Sequence, residues 1–213
     1  GPDGIDSGSP HIHAITSEAY YVLEGEGLVE FNDLEKGFYT MPLKKGQFLQ
    51  FSPCVMHRLI NKGHLEILGI MGNAGLAENG DARIYFGRAV DEDSETYQNI
   101  VNLPKNEGLE GALKRRDLAT KGYQELIQLW ETDQSAYFQE LKRFISKHQQ
   151  FVHENQERFL PFIESGPMAW GHSAENLMKE APTDLRHNNL VSDLIKEDYL
   201  YGMCGTLKVI HPN

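Results

Sequence analysis

Apolar and polar positions alternate in short runs between residues 11 and 72. Turn-forming residues punctuate the runs at Glu24-Gly25-Glu26-Gly27, Asn32-Asp33, Lys36-Gly37, Lys44-Lys45-Gly46 and Lys62-Gly63. A two-residue period broken by such signals predicts antiparallel strands arranged as a sandwich or barrel. Glu18 to Glu24, rich in aromatic and branched residues, reads as one strand and Gln47 to Phe51 as another. The Ser52-Pro53 bend then leads into a strand opened by His57, Leu65 to Met71 returns across the barrel, and Ala82 to Phe86 adds a last strand. Residues 1–10 and 72–81, rich in Gly with Pro, Ser, Asp or Asn, read as loops, and Asp91 to Glu95 as an acidic linker.

From Leu109 the period changes. Leu109, Leu113, Tyr123, Leu126, Ile127 and Trp130 lie near one helical stripe. Tyr137, Leu141, Phe144, Ile145, His148, Phe151, Val152 and Phe159 make a second. Such stripes predict helices that bury one face. Thr132-Asp133 supplies an N-cap between them, and the short connection predicts an antiparallel pair. Pro161 is expected to end or kink the second helix. Shorter helices are expected at Ala174–Lys179 and Leu190–Lys196, and a strand-like run at Tyr199–Ile210. The layout is a β-barrel over residues 1–90, a linker over 91–108, an α-helical extension over 109–198 and a C-terminal tail over 199–213. The extension is expected to bury its own stripe. His148, His153, His172 and His187 are expected at the surface or in helix packing, not in a second metal site.

Chemistry enters with His11, His13, Glu18 and His57. On a strand, residues i and i+2 share a face about 6.6 Å apart. His11 and His13 can therefore grip one ion through bonds of about 2.1 Å. The short connection after His13 brings Glu18 back beside the pair, and His57 can close the site from a later strand. Strand phase also gives a lining. Tyr20 and Val22 share the face of Glu18, Leu59 shares that of His57, and Phe48 and Gln50 are neighbours on the strand between. Tyr20 is the candidate catalytic residue, as proton donor or substrate orienter. Arg58, adjacent to His57, is expected to face away. The wall is then aromatic and aliphatic, which suits a neutral or aromatic substrate better than a sugar phosphate or dicarboxylate. Cys54 is expected to pack in a turn.

These residues resemble the two motifs of the cupin superfamily. The first, Gly-x5-His-x-His-x(3,4)-Glu-x6-Gly, is matched by His11, His13, Glu18 and Gly25, with Gly4 as the nearest counterpart of its leading Gly. The second, Gly-x5-Pro-x-Gly-x2-His-x3-Asn, is matched by Gly46, His57 and Asn61, with Pro53 shifted by one and Cys54 where the family has Gly. The resemblance implies a mainly β fold, the cupin double-stranded β-helix or jelly-roll barrel, here followed by an α-helical C-terminal region. It also implies a metal held by His11, His13, Glu18 and His57, and a homodimer made through the barrel sheets.

Three imidazoles and a carboxylate leave open positions on a six-coordinate ion and suit Fe(II), Mn(II), Zn(II) or Ni(II), one per chain. An open position can bind dioxygen, polarise a carbonyl or activate water. The expected function is a metal-dependent enzyme on a small organic molecule, first a non-haem dioxygenase or other oxidoreductase. The alternatives are a Lewis-acid isomerase, lyase or decarboxylase on the same site, and a non-catalytic cupin that binds a small ligand. The net charge of −11 argues against nucleic acid, which needs a basic footprint. No apolar run approaches the ~18 residues of a membrane span. The two cysteines, Cys54 and Cys204, are far apart and fit a reducing compartment, so a cytoplasmic protein is expected.

Overall fold

The computed structural model describes residues 1–72, 75–180 and 199–208. Six strands form one antiparallel sheet: β1 (His11–His13), β2 (Glu18–Asp33), β3 (Gly37–Lys44), β4 (Phe48–Phe51), β5 (Met56–Met71) and β6 (Ala82–Ile84). The order is β3-β2-β5-β1-β6, with β4 paired to the first residues of β2. The runs expected as separate strands at His57 and at Leu65–Met71 are one strand, β5. The Lys62-Gly63 turn signal is an irregularity within it, and His64 there takes a left-handed backbone, φ +49°.

Burial forces this sheet to fold over. In an extended strand, Tyr20 and Phe31 of β2 would stand about 36 Å apart at ~3.3 Å per residue. Both rings instead touch Phe51 of β4, with centroids 5.4 and 5.1 Å away. The two halves of β2 therefore face each other across a core of Tyr20, Val22, Val29, Phe31, Leu43 and Leu59. The bend falls where the β2–β5 register slips, between Val22 and Gly27. Gly25 is required there: its φ is +72°, and a Cβ would lie 2.2 Å from the carbonyl oxygens of Gly63 and His64.

The stretch 91–108, expected as a linker, is helical. It holds the end of α1 (Arg88–Glu92), α2 (Ser94–Val101) and the start of α3 (Leu103–Thr132). The acidic run that suggested a linker is a cap: Asp93 accepts from the N–H groups of Glu95 and Thr96 at 3.0 and 3.1 Å. Helical geometry breaks at Gly108 (φ +59°, ψ −132°), so the long regular helix does begin at Leu109. Asp133 caps α4 (Gln134–Glu154) through the Ala136 N–H. Pro161 does not end α4; it sits inside α5 (Gln156–Ile163). The break comes earlier, at Asn155, whose side chain competes for the Phe151 carbonyl at 2.8 Å. The expected helix at Ala174–Lys179 is the end of α6 (Ala169–Lys179), whereas Leu190–Lys196 lies outside the described residues. The tail gives a hairpin, β7 (Tyr199–Tyr201) with β8 (Thr206–Lys208).

The helices do not bury a stripe of their own. Tyr123, Leu126, Tyr137, Leu141, Phe144 and Ile145 share one core with Ile12 and Met56 of the sheet. Asn32 of β2, fully buried, ties the two layers: its amide donates to the Tyr123 hydroxyl and its oxygen accepts from the Tyr137 hydroxyl, each at 2.9 Å. Buried Asp91 draws in Arg83 of β6 and Arg143 of α4, at 2.9 and 2.7 Å. No described helix is long and apolar enough to cross a membrane.

Gly122 of α3 is where helix backbone meets the backbone that leaves β6, since a Cβ there would lie 2.2 Å from the Phe86 carbonyl carbon. We expect Gly122→Ala to destabilise the protein by about 1–3 kcal/mol through overpacking, despite the gain in helix propensity. Chemical denaturation checks this, and an unchanged or raised midpoint would refute the close packing of α3 on the sheet.

Candidate metal centre

Strand pairing assembles the site. β1 lies beside β5 with His11 opposite His57, and β2 brings Phe31 to the other side of His57. Glu18 opens β2 after the short Ala14–Ser17 connection, so its carboxylate returns over β1. All four side chains are buried, and one donor atom from each lies within 4.8 Å of every other.

The hydrogen bonds fix which nitrogens face inward. His11 Nδ1–H donates to the Ser9 carbonyl at 2.8 Å and His57 Nδ1–H to the Val55 carbonyl at 3.0 Å. Each ring then turns its Nε2 toward the same point. Those two Nε2 atoms stand 3.0 Å apart. Glu18 Oε2 lies 3.1 Å from His57 Nε2 and 3.3 Å from His13 Nε2, and it accepts no hydrogen bond. Donors that share one ion at bonds of ~2.1 Å stand about 3.0–3.4 Å apart for right-angled to tetrahedral geometry. These three edges fall in that range, and all four donors converge closely enough to be compatible with a single divalent transition ion.

Electrostatics agree. Burial, reinforced by the His57 and His13 rings, pushes His11 well below the ordinary imidazole value and keeps it neutral. Burial opposes a charge on His13 too, but the carboxylates of Asp81 and Glu18 outweigh it and raise the ring to about 9. Burial would raise the Glu18 carboxyl, yet His57 and His13 hold it below the usual range. The same field that favours a proton here favours a cation in its place.

Asp81 has no signature in the sequence, because it sits in a stretch that reads as loop. It is fully buried, and its carboxylate accepts from the N–H groups of Ala14, Ile15 and Thr16 at 2.8, 2.9 and 3.2 Å. That grip shapes the connection carrying His13 and Glu18. Its other oxygen faces His13 Nδ1 at 3.6 Å, beyond hydrogen-bond length but close enough to orient the ring. Its carbonyl accepts from His148 Nε2 of α4 at 2.5 Å, so His148 is a packing histidine. Burial holds that ring neutral, down to about 4.

The expected lining is placed in part. Tyr20 is buried beside Glu18, its ring 6.4 Å from that of His57 and its hydroxyl without a hydrogen-bond partner. Burial, with Cys204 and the Glu18 carboxylate nearby, pushes that hydroxyl well above its ordinary value. Val22 and Leu59 lie in the same apolar cluster. Phe48 and Gln50 do not line the site. Both are exposed, because β4 turns its other face inward: the Phe51 ring lies tilted against that of His57, centroids 4.7 Å apart, and Leu49 joins the core. Arg58 faces away, bound to Asp3 and Ser7 at 2.5 and 2.6 Å. Cys54 packs outside the donor set, its thiol on the Ala14 carbonyl at 3.5 Å. The cysteine at the centre is Cys204, with Sγ 3.5 Å from His11 Nε2. An open groove of about 410 Å³ beside Tyr85, Leu129 and Arg143 includes none of the four donors.

Comparison with known proteins bears on the first third of the molecule. The model of the Cupin domain family matches residues 2–71 of the 213. Among curated proteins nothing matches the chain. Among solved structures it is similar to a mutant of the Bacillus subtilis oxalate decarboxylase OxdC, at 19% identity over 48% of this chain and 25% of that one, with a TM-score of 0.36. It is also similar to the coconut allergen cocosin, at 18% identity over 52% of this chain and 28% of the other, TM-score 0.35. A third is an uncharacterized conserved protein with a double-stranded beta-helix domain from Klebsiella pneumoniae, at 19% identity over 38% and 61%, TM-score 0.28. The chain thus spans less than two thirds of each.

Metal titration of variants tests the donor set. His57→Ala is expected to abolish tight binding while circular dichroism keeps the wild-type spectrum. Asp81→Asn is expected to weaken binding by about 10- to 100-fold, the range for a group that orients a ligand. Full metal retention in His57→Ala would remove that residue from the site.

Proposed function

We propose that this protein is a metal-dependent cupin enzyme acting on a small organic molecule, in first place a non-haem dioxygenase or related oxidoreductase. The observation that carries the reading is the pair of imidazole nitrogens, His11 Nε2 and His57 Nε2, held face to face at 3.0 Å beside Glu18. A bound transition ion would supply redox or Lewis-acid chemistry at the positions the four side chains leave open. The chain's own residues set the surroundings. Tyr20, Phe51 and Phe31 form an aromatic wall behind His57, which excludes water and suits a neutral or aromatic substrate.

A second reading has its own support. The Tyr20 hydroxyl is buried, unpaired and next to Glu18, which places a proton donor beside the donor set. That arrangement favours a Lewis-acid isomerase, lyase or decarboxylase. Metal identity separates the two. Protein purified without oxygen is expected to carry about one iron per chain by elemental mass spectrometry. It is then expected to consume oxygen with small aromatic or thiol substrates. Zinc, manganese or nickel at that level, without oxygen uptake, would transfer the assignment to the Lewis-acid class. A chain that takes up no metal at all would overturn both.

We also infer a homodimer built through the sheet. The outer face of β2, β4 and β5 exposes Tyr21, Leu23, Phe48, Leu68 and Ile70. Register places Tyr21 between Phe48 and Leu68, so these side chains form one patch. An apolar patch of that kind marks an interaction surface. Phe48→Glu combined with Ile70→Glu is expected to give a folded monomer by light scattering. A wild-type chain that is already monomeric would refute the dimer.

A further inference from the structure

The site has a visitor from the far end of the chain. The β7–β8 hairpin turns through Gly202–Gly205 against the sheet, with the Gly202 N–H on the Gly205 carbonyl at 2.9 Å. Arg115 of α3, itself buried, holds one side of the turn through the Tyr201 and Gly202 carbonyls at 3.2 and 2.7 Å. Ser9 holds the other, its N–H on the Met203 carbonyl at 2.8 Å. Met203 packs into the cluster of Ile84, Phe86 and Tyr97, while Cys204 packs into the cluster that contains Tyr20. Gly8 allows the approach, since a Cβ there would sit 2.8 Å from the Cys204 carbonyl oxygen. Ser9 thereby joins two jobs: its carbonyl sets the tautomer of His11, and its N–H seats the residue before Cys204.

The result is a sulfur 3.5 Å from the inward nitrogen of His11. Nitrogen and sulfur that share one ion, at bonds of ~2.1 and ~2.3 Å, stand about 3.1–3.6 Å apart for right-angled to tetrahedral geometry. The contact has the length of a coordination edge. A second observation points inward from the other side. The Tyr20 hydroxyl, buried to 1% exposure and without a hydrogen-bond partner, lies next to both Glu18 and Cys204. It is placed to donate to a sulfur that carries charge.

We propose that Cys204 is a fifth protein ligand of this centre, supplied as a thiolate by the C-terminal hairpin. The proposal rests on the metal-centre reading above. As the sulfur–metal bond forms, the S–H bond breaks and its proton leaves to solvent, with no change of oxidation state. A thiolate makes the donor set softer than three imidazoles and a carboxylate alone, which shifts preference from Mn(II) toward Zn(II) and Fe(II).

Cobalt(II) reads this directly, because a cobalt–thiolate bond gives an intense near-ultraviolet charge-transfer band that nitrogen and oxygen ligands do not. The full chain is loaded with Co(II), and stoichiometry is measured by equilibrium dialysis. Wild type and Cys54→Ser are expected to bind cobalt with the band. Cys204→Ser and Cys204→Ala are expected to bind cobalt without it and with altered visible d–d absorption. Cobalt bound by wild type without a charge-transfer band would overturn the fifth ligand and leave the four-donor site standing. A band that persists in both Cys204 variants would overturn it as well. Failure of wild type to bind cobalt would remove the centre and this ligand together.

Discussion

Two imidazole Nε2 atoms held 3.0 Å apart are a constraint that the rest of this fold maintains. Ser9 and Val55 each take one Nδ1 proton and so deny His11 and His57 the tautomers that would let them bond to each other. A third acceptor, Glu18, is then driven against the same point. In water such an arrangement would relax at once. Here it cannot, because the rings are wedged by Phe51 and Tyr20 and the strands carrying them are bent back on themselves at Gly25. The converging donors call for a positive charge at that point, and its buried setting makes that charge worth more than it would be in solvent.

Much of this was legible from the chain. The two-residue spacing of His11 and His13, the return at Glu18 and the later His57 depend on local strand geometry, which periodicity reports well. The long helix starts where the stripe starts, at Leu109, since Gly108 leaves helical geometry just before it. What was not legible is long-range or phase-dependent. Phe48 and Gln50 were placed inward by counting, and the pairing of β4 with β2 turned Leu49 and Phe51 inward instead. Asp81 and Cys204 reach the site from positions 67 and 193 residues away from their partners, and no local pattern announces such contacts. The acidic run near Asp93 misled for a different reason: caps and linkers draw on the same residues.

The helical hairpin matters to the site more than its sequence suggests. It reaches the centre through Asp81, whose carbonyl takes the His148 proton and whose carboxylate organises the loop of His13 and Glu18. It reaches the opposite rim through Arg115, which seats the turn of Cys204. Position of the donors is thus set from two sides by elements outside the strands. Specificity of geometry at a metal site usually depends on such outer support.

The shared core of Ile12, Met56, Tyr85, Tyr123, Leu126 and Phe144 has one more consequence. The boundary that homology draws around residues 2–71 is not a boundary of folding. Cut there, β1 and β5 would present Ile12 and Met56 to water, and Asn32 would lose both of its tyrosine partners. The module that can be inherited or transplanted as a working unit is therefore larger than the motif that identifies it. In this protein the sheet that the motif identifies depends on the helices that complete its interior.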